Sequence, residues 1–298
     1  MSTDLRIERP GGPVPDVTAF FDPTTHTVSY VVREPAGPAC AIIDPVLDFE
    51  AASGRVAHRS AGAVVDLVRR EGLRVEWIIE THVHADHLSA APWVQQQVGG
   101  RIAIGQRIDV VQDTFGRLFN EGPEFRRDGS QFDHLFRDGE RYRIGALEAV
   151  AWHTPGHTPA CMTHVVGDAA FVGDTLFMPD GGSARADFPG GDARTLYRSM
   201  RRALSLPPDT RLFMCHDYGP GGRGIRWEST VAEQRAANIH VRDGIDEDAY
   251  VALREARDAT LPVPALILPS LQVNMKAGRL PEPESNGTRY FRLPIDAL

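Results

Sequence analysis

One stretch constrains this chain more than any other: Glu80-Thr81-His82-Val83-His84-Ala85-Asp86-His87-Leu88. Three histidines and an aspartate fall within six residues, directly after the apolar run Trp77-Ile78-Ile79. The run reads as a buried strand and Leu88 onward as a helix, so the polar residues sit on a strand-to-helix loop, where function usually concentrates. In an extended segment His82 and His84, two apart, project to one side. Imidazole and carboxylate at this density suit a transition metal of borderline hardness, such as zinc or iron. The competing reading is a polar loop whose histidines are merely solvated. That reading suits a lone histidine better than the pattern His-x-His-x-Asp-His.

The rest of the composition narrows the setting. The 298 residues suffice for one large α/β domain. A formal net charge of -8 leaves no basic footprint for nucleic acid. The 3 cysteines, Cys40, Cys161 and Cys215, are sparse and lack C-x-x-C spacing, which argues against a disulfide framework and suits a reducing cytoplasm. Met1-Ser2-Thr3-Asp4-Leu5-Arg6 has no secretory pattern. No apolar run reaches the ~18 residues of a membrane span.

Periodicity predicts the elements. Residues 17–21, 27–32 and 40–43 are β-rich and separated by turn chemistry, an antiparallel meander. A helix runs from Ser60 to Gly72, a strand over 75–79, a helix over 88–98 and a short strand over 101–104. Helical spacing returns over 108–119, and 121–133 reads as loop. Strands follow at 141–144 and 147–152, then a hairpin over 161–172 turning at Gly167-Asp168. Asp192 is placed to cap a helix over 192–204. A strand over 211–214 ends at Cys215-His216, and 228–241 and 246–259 look helical. The Pro-rich residues 261–298 read as an irregular tail lying on a single domain that spans 1–298. This order suits two mixed sheets packed face to face with helices outside.

Three further loops at strand ends carry possible ligands: His157 in Gly156-His157-Thr158, Asp174 in Gly173-Asp174-Thr175, and His216 in Cys215-His216-Asp217. Singly, each is more naturally a cap or turn residue. Four such loops in succession point to one assembled metal site. His26, His58, His134, His153, His164 and His240 lack that placement and read as surface or hydrogen-bonded residues.

Taken together, His82-x-His84-x-Asp86-His87, Gly156-His157-Thr158, Gly173-Asp174-Thr175 and His216 resemble the metallo-β-lactamase superfamily, in that order and over nearly the whole chain. The resemblance implies an α/β fold, the αββα sandwich, with the metal site at one edge of the two sheets. Asp44 matches the family's early aspartate, which supports the metal loop. Finer motifs resemble the persulfide dioxygenase (ethylmalonic-encephalopathy-protein-like) branch: Gly156-His157-Thr158-Pro159-Ala160-Cys161, Ala184-Arg185-Ala186-Asp187-Phe188, Cys215-His216-Asp217-Tyr218 and the tail Pro269 to Met275. Glyoxalase II, the nearest hydrolase relative, typically has His-Glu-Tyr where His216-Asp217-Tyr218 stands. Gly181 occupies a place where bacterial relatives often carry an aromatic residue.

That resemblance implies one Fe(II) per chain, held by His82, His157 and Asp174, with open positions for the reactants. The reactants would be a low-molecular-weight thiol persulfide such as glutathione persulfide, and O₂. His84, Asp86, His87 and His216 would then surround the iron site or form a second metal site. The same residues complete a binuclear set, so one or two zinc ions and a glyoxalase II-like thioester hydrolase form the alternative. A non-catalytic, metal-bearing sulfur sensor is a third reading. Arg185 and Arg226 are candidate carboxylate partners, and Met275 a candidate for the apolar part of the cleft. A homodimer is the family's expectation, with neither nucleic acid nor membrane as partner.

Overall fold

The structure, a computed structural model, describes residues 13–297. Its first sheet begins with β1 (Asp16–Asp22), β2 (Thr27–Arg33) and β3 (Ala39–Ile43), an antiparallel meander. Next come β4 (Val46–Glu50), β5 (Arg55–Ala57), α1 (Arg59–Arg70), β6 (Arg74–Ile79), β7 (Leu88–Ser89), α2 (Ala91–Val98), β8 (Arg101–Gly105), α3 (Ile108–Leu118) and β9 (His134–Phe136). Strands β6, β8 and β9 continue the first sheet in parallel, giving the order β1-β2-β3-β6-β8-β9.

The second sheet takes β10 (Glu140–Ile144), β11 (Leu147–His153), β12 (Met162–Val166) and β13 (Ala169–Phe171), then, after α4 (Ala193–Ala203), β14 (Arg211–Phe213) and β15 (Glu228–Thr230). Three helices follow: α5 (Val231–Ala237), α6 (Glu247–Asp258) and α7 (Ile267–Asn274).

Alternation along the strands sorts side chains into layers. On β2, Val28, Tyr30 and Val32 enter the layer between the sheets, while Val31 faces the helices. On β3, Ala39, Ala41 and Ile43 point between the sheets, and Cys40 and Ile42 point outward. On β6 the register against β3 shifts between Cys40 and Ala41, so Val75 and Trp77 face opposite sides although they are two apart. The second sheet contributes Tyr142, Ile144, Met162, Phe171 and Phe213 to the same layer. Its other face packs Val150, Trp152, Val165 and Leu212 against Leu196 and Met200 of α4 and Tyr250 of α6. The result is the αββα sandwich, each buried large apolar side chain contributing roughly 1.5–3 kcal/mol.

Several elements differ from expectation. Leu88–Ser89 is not helical; it pairs with Val46 and Leu47, and the helix starts only at Ala91 with a proline in its first turn. Residues 228–230 form the edge strand β15, because they pair with β14; Thr230 then caps a shorter helix through a capping box with Glu233. Residues 261–298 are not uniformly irregular. They contain α7, whose Leu271 and Val273 are buried among α1–α3. Pro269 lies in that helix's first turn, where a missing N–H costs nothing, so it reads as a breaker in sequence without acting as one. Residues 1–12, and with them the Met1 to Arg6 segment expected to lack a secretory pattern, lie outside the described residues. No helix among the described residues is long and apolar enough to cross a membrane.

Candidate metal centre

The four predicted loops converge at one end of the sandwich. Strand β6 delivers His82, with 1 % of its surface exposed, and Thr81 Oγ1 lies 3.0 Å from its Nδ1. The loop after β11 delivers His157. Its Nδ1 donates to the Arg185 carbonyl at 2.7 Å, which leaves the Nε2 lone pair facing inward. Gly156, at φ 131°, is required there, because a Cβ would lie 2.3 Å from the backbone nitrogen of Leu196 in α4. Asp174 follows Gly173, which stands at φ 52° with room for no side chain against Thr81. Asp174 Oδ2 lies 3.8 Å from His82 Nε2 and 3.6 Å from His157 Nε2. Ligand atoms of His82, His157 and Asp174 all fall within 4.8 Å of one another.

A second group lies beside the first. His84, Asp86, His87 and His216 also bring ligand atoms within 4.8 Å of one another. His84 Nε2 is held by Asp44 Oδ1 at 2.9 Å and Glu80 Oε2 at 3.3 Å, turning its Nδ1 toward this group. Thr27 Oγ1 sits 3.3 Å from His87 Nδ1 and 3.5 Å from His216 Nδ1. The Thr27 hydroxyl continues through Thr25 to Asp22, with contacts of 2.8 Å and 2.7 Å. Asp174 joins the two groups, since its Oδ1 is 3.5 Å from His216 Nε2.

The electrostatics follow from burial. Burial pushes the His82 imidazole well below its ordinary value, and does the same to His87 more mildly. Burial also opposes charge on His84, but Asp44 and Glu80 outweigh it and hold that ring well above the usual histidine range. For Asp86, burial is outweighed by His216 and His87, which keep the carboxylate well below its usual range.

The donors fit a metal ion. His82 Nε2, His84 Nδ1, His87 Nε2, His216 Nε2 and Asp174 Oδ1 are all buried without a hydrogen-bond partner. Native proteins rarely leave so many polar atoms unsatisfied in one place unless an ion satisfies them. The nitrogen-and-carboxylate set is the chemistry of zinc or iron.

A cavity of about 880 Å³ opens over the centre, within the range of small-molecule sites. Asp86, His157, Asp174 and His216 form its floor, and Phe177, Tyr218 and Phe188 stand on its walls. Arg185 lines it, with its guanidinium held by Asp187 at 2.5 Å and 2.7 Å and by the Pro262 carbonyl at 2.7 Å. Gly181 also lines it.

A family model for the metallo-beta-lactamase superfamily matches residues 22–216, about two thirds of the chain and all of the ligand loops. The chain belongs to this superfamily. A probable metallo-hydrolase from Burkholderia pseudomallei is 59 % identical over 292 residues, covering 95 % of this chain and 99 % of that protein. Glyoxylase B2 of Dictyostelium discoideum is 43 % identical, with 95 % and 97 % covered. The human mitochondrial persulfide dioxygenase ETHE1 is 30 % identical, with 87 % of each chain covered. Among solved structures, ETHE1 from Myxococcus xanthus superposes with a TM-score of 0.71 at 26 % identity, covering 89 % of this chain and 100 % of that one.

Two of the candidate substrate contacts, Arg226 and Met275, do not line this cavity. Met275 is fully buried among α1–α3, because the C-terminal end of α7 packs beneath the metal loop and not over the cavity. Arg226 is exposed and does not line the cavity; its backbone N–H, not its side chain, contacts Asp217. Other residues with positioning roles lie inside quoted motifs without having been singled out as site residues. Asn274 of α7 donates to the carbonyls of His84 at 2.9 Å and His87 at 2.8 Å, and accepts from Ser89 N–H at 2.8 Å. Glu80 is visible in the motif, but only the fold reveals its contact with His84. Of the histidines set aside, His26 offers its carbonyl to His216 Nδ1 at 3.3 Å, His164 is buried between the sheets, and His240 lines the cavity.

Proposed function

We propose that the protein is a persulfide dioxygenase. It would convert a low-molecular-weight thiol persulfide of the glutathione type, with O₂ and water, into the thiol and sulfite. The balance is RSSH + O₂ + H₂O giving RSH, sulfite and two protons. The observation that carries this reading is the separation of the donors. His82, His157 and Asp174 form a two-histidine, one-carboxylate group, of which His157 and Asp174 reach the cavity floor, while Nε2 of His84 pairs with Asp44 and Glu80. Such a group leaves several positions of a metal open. The likeness to the human persulfide dioxygenase and to the Myxococcus ETHE1 structure supports the same reading.

His82, His157 and Asp174 would hold a single iron, which when bound supplies the redox chemistry between sulfur and O₂. The chain's own groups set the geometry. The Arg185 carbonyl fixes the His157 tautomer, so the ring presents a lone pair to the ion. Phe177 and Phe188 give the cavity apolar walls, which limits water around the reacting atoms. Confining both reactants in one cavity removes the cost of their encounter.

Thioester hydrolysis of the glyoxalase II type is the second reading, and identity among the relatives leans toward it: 43 % to Glyoxylase B2 and 59 % to a probable metallo-hydrolase, against 30 % to the persulfide dioxygenase. The carboxylate of Asp174 reaches both donor groups, as a bridge between two metals would. Metal analysis of anaerobically prepared protein, with O₂ uptake on glutathione persulfide and thioester cleavage followed in parallel, separates the two. About one iron per chain with O₂ consumption and sulfite is expected. Thioester turnover without O₂ uptake would overturn the dioxygenase reading in favour of hydrolysis.

A further inference from the structure

The turn between β1 and β2 carries a buried carboxylate. Asp22 is 6 % exposed, and its Oδ2 accepts from the backbone N–H of Thr25 at 2.9 Å, as an aspartate opening a turn commonly does. A turn cap needs nothing more. Here the same oxygen also accepts from the Thr25 hydroxyl at 2.7 Å, and Thr25 Oγ1 lies 2.8 Å from Thr27 Oγ1. Thr27 is fully buried on β2, and its hydroxyl meets the metal loops, 3.3 Å from His87 Nδ1 and 3.5 Å from His216 Nδ1. Three polar side chains thus run in a line from the turn to the centre.

The direction of each hydrogen bond along this line is fixed from its far end. An ionised carboxylate only accepts, so the single hydroxyl proton of Thr25 goes to Asp22. Thr25 Oγ1 must then accept, so the single hydroxyl proton of Thr27 goes to Thr25. Thr27 Oγ1 has only lone pairs left to offer, so His87 Nδ1 must carry a proton to meet it. A neutral imidazole protonated at Nδ1 has its free lone pair on Nε2. His87 Nε2 is one of the buried atoms of the centre without a hydrogen-bond partner. The other neighbour of His87 Nδ1, Asp86 Oδ2 at 3.5 Å, belongs to the donor set itself. His216 depends on the line less, because the His26 carbonyl, a pure acceptor, lies 3.3 Å from its Nδ1.

We infer that Asp22 is a positioning residue for the metal centre: through the Thr25 and Thr27 hydroxyls it holds His87 in the tautomer that offers Nε2 to an ion. Strand pairing delivers the geometry, since Asp22 faces Thr27 in the β1–β2 register and Thr27 bridges to His216. The line serves the ligand set whichever of the two proposed reactions the centre performs.

The test reads the tautomer directly. Nitrogen-15 NMR of the imidazoles in the metal-free protein distinguishes Nδ1–H from Nε2–H rings. Wild-type His87 and His216 should both be Nδ1–H. Thr25→Val keeps the side-chain shape and the backbone N–H that caps the turn, but removes the hydroxyl. The Thr27 proton then turns to the next atom within reach, His87 Nδ1, and His87 should shift toward the Nε2–H form while His216 stays as it was. Thr25→Ser restores the hydroxyl and should restore the wild-type ring. Zinc held beside His87, titrated against a chelator, should bind about tenfold more weakly in Thr25→Val and as in the wild type in Thr25→Ser, the usual cost of losing a partner behind a metal-bound histidine. An Nε2–H His87 in the wild type, or an unchanged ring and zinc affinity in Thr25→Val, would overturn the assignment. So would a Ser variant no better than the Val one, since the shape of the turn and not its hydroxyl would then decide.

Discussion

Asp44 Oδ1 lies 2.9 Å from His84 Nε2, and the same carboxylate accepts from the Thr81 N–H at 2.7 Å and the Thr81 hydroxyl at 2.8 Å. One buried aspartate thus sets both the course of the metal loop and the face that His84 shows. Asp44 stands at φ 49°, a left-handed conformation that aspartate tolerates better than most residues. Asp44→Ala would strand three buried donors at once. A loss of about 3 kcal/mol or more is expected in urea unfolding, together with a fall in bound metal. A variant as stable and metal-rich as the wild type would show that the loop is held some other way.

Asn274 ties α7 to the metal loop through three hydrogen bonds. Asn274→Ala should keep the secondary structure by circular dichroism but lower stability by about 2–4 kcal/mol, because buried groups at Ser89, His84 and His87 lose their partner. Metal affinity should fall with it, read by competition with a chelator. Unchanged affinity would mean that α7 supports the fold without positioning the ligands.

Among the described residues, Asp174 is the one carboxylate that pairs with histidines of both donor groups. Asp174→Ala should reduce metal content to near zero by elemental analysis and abolish turnover. Retention of full metal and full activity would show that the ligand assignment is wrong.

Two buried histidines away from the ligand loops tie stability to pH. Burial brings His164 down to about 4, and burial with Arg254 and Arg257 brings His240 to the same value. An unfolded histidine titrates near 6.5, so between about 6.5 and 4 the unfolded chain binds more protons than the folded one. Their contribution is therefore complete above about pH 6.5 and is lost as the pH falls toward 4, on the order of 2–3 kcal/mol for each ring. Urea unfolding of wild type and His164→Gln at pH 7.5 and 4.5 checks this; the variant should lose less between the two. Equal losses would assign the acid sensitivity to other groups.

Much of the centre was legible because its signals are local. A strand announces itself by alternation within a few residues, and a metal loop by donors crowded beyond what solvation requires. His82, His157, Asp174 and His216 could thus be picked out one loop at a time, each behind its own apolar run. The misread elements failed for the converse reason. Leu88–Ser89 becomes a strand only because Val46 and Leu47 lie alongside it, and Pro269 is harmless only because it falls in a first helical turn.

What the amino-acid order determined by itself was the candidate donor set, the loops that carry it and the layered sandwich those loops cap, since these rest on residue chemistry and short-range periodicity. Tertiary structure alone decided how the donors divide. It aimed Nε2 of His84 at Asp44, 40 residues earlier, and anchored the loop through Asn274, 190 residues after His84. It also sank Met275 into the core and brought Arg254 to the cavity wall. The direction of a side chain and the partner that completes it depend on contacts between residues distant along the chain, and no local pattern encodes those contacts.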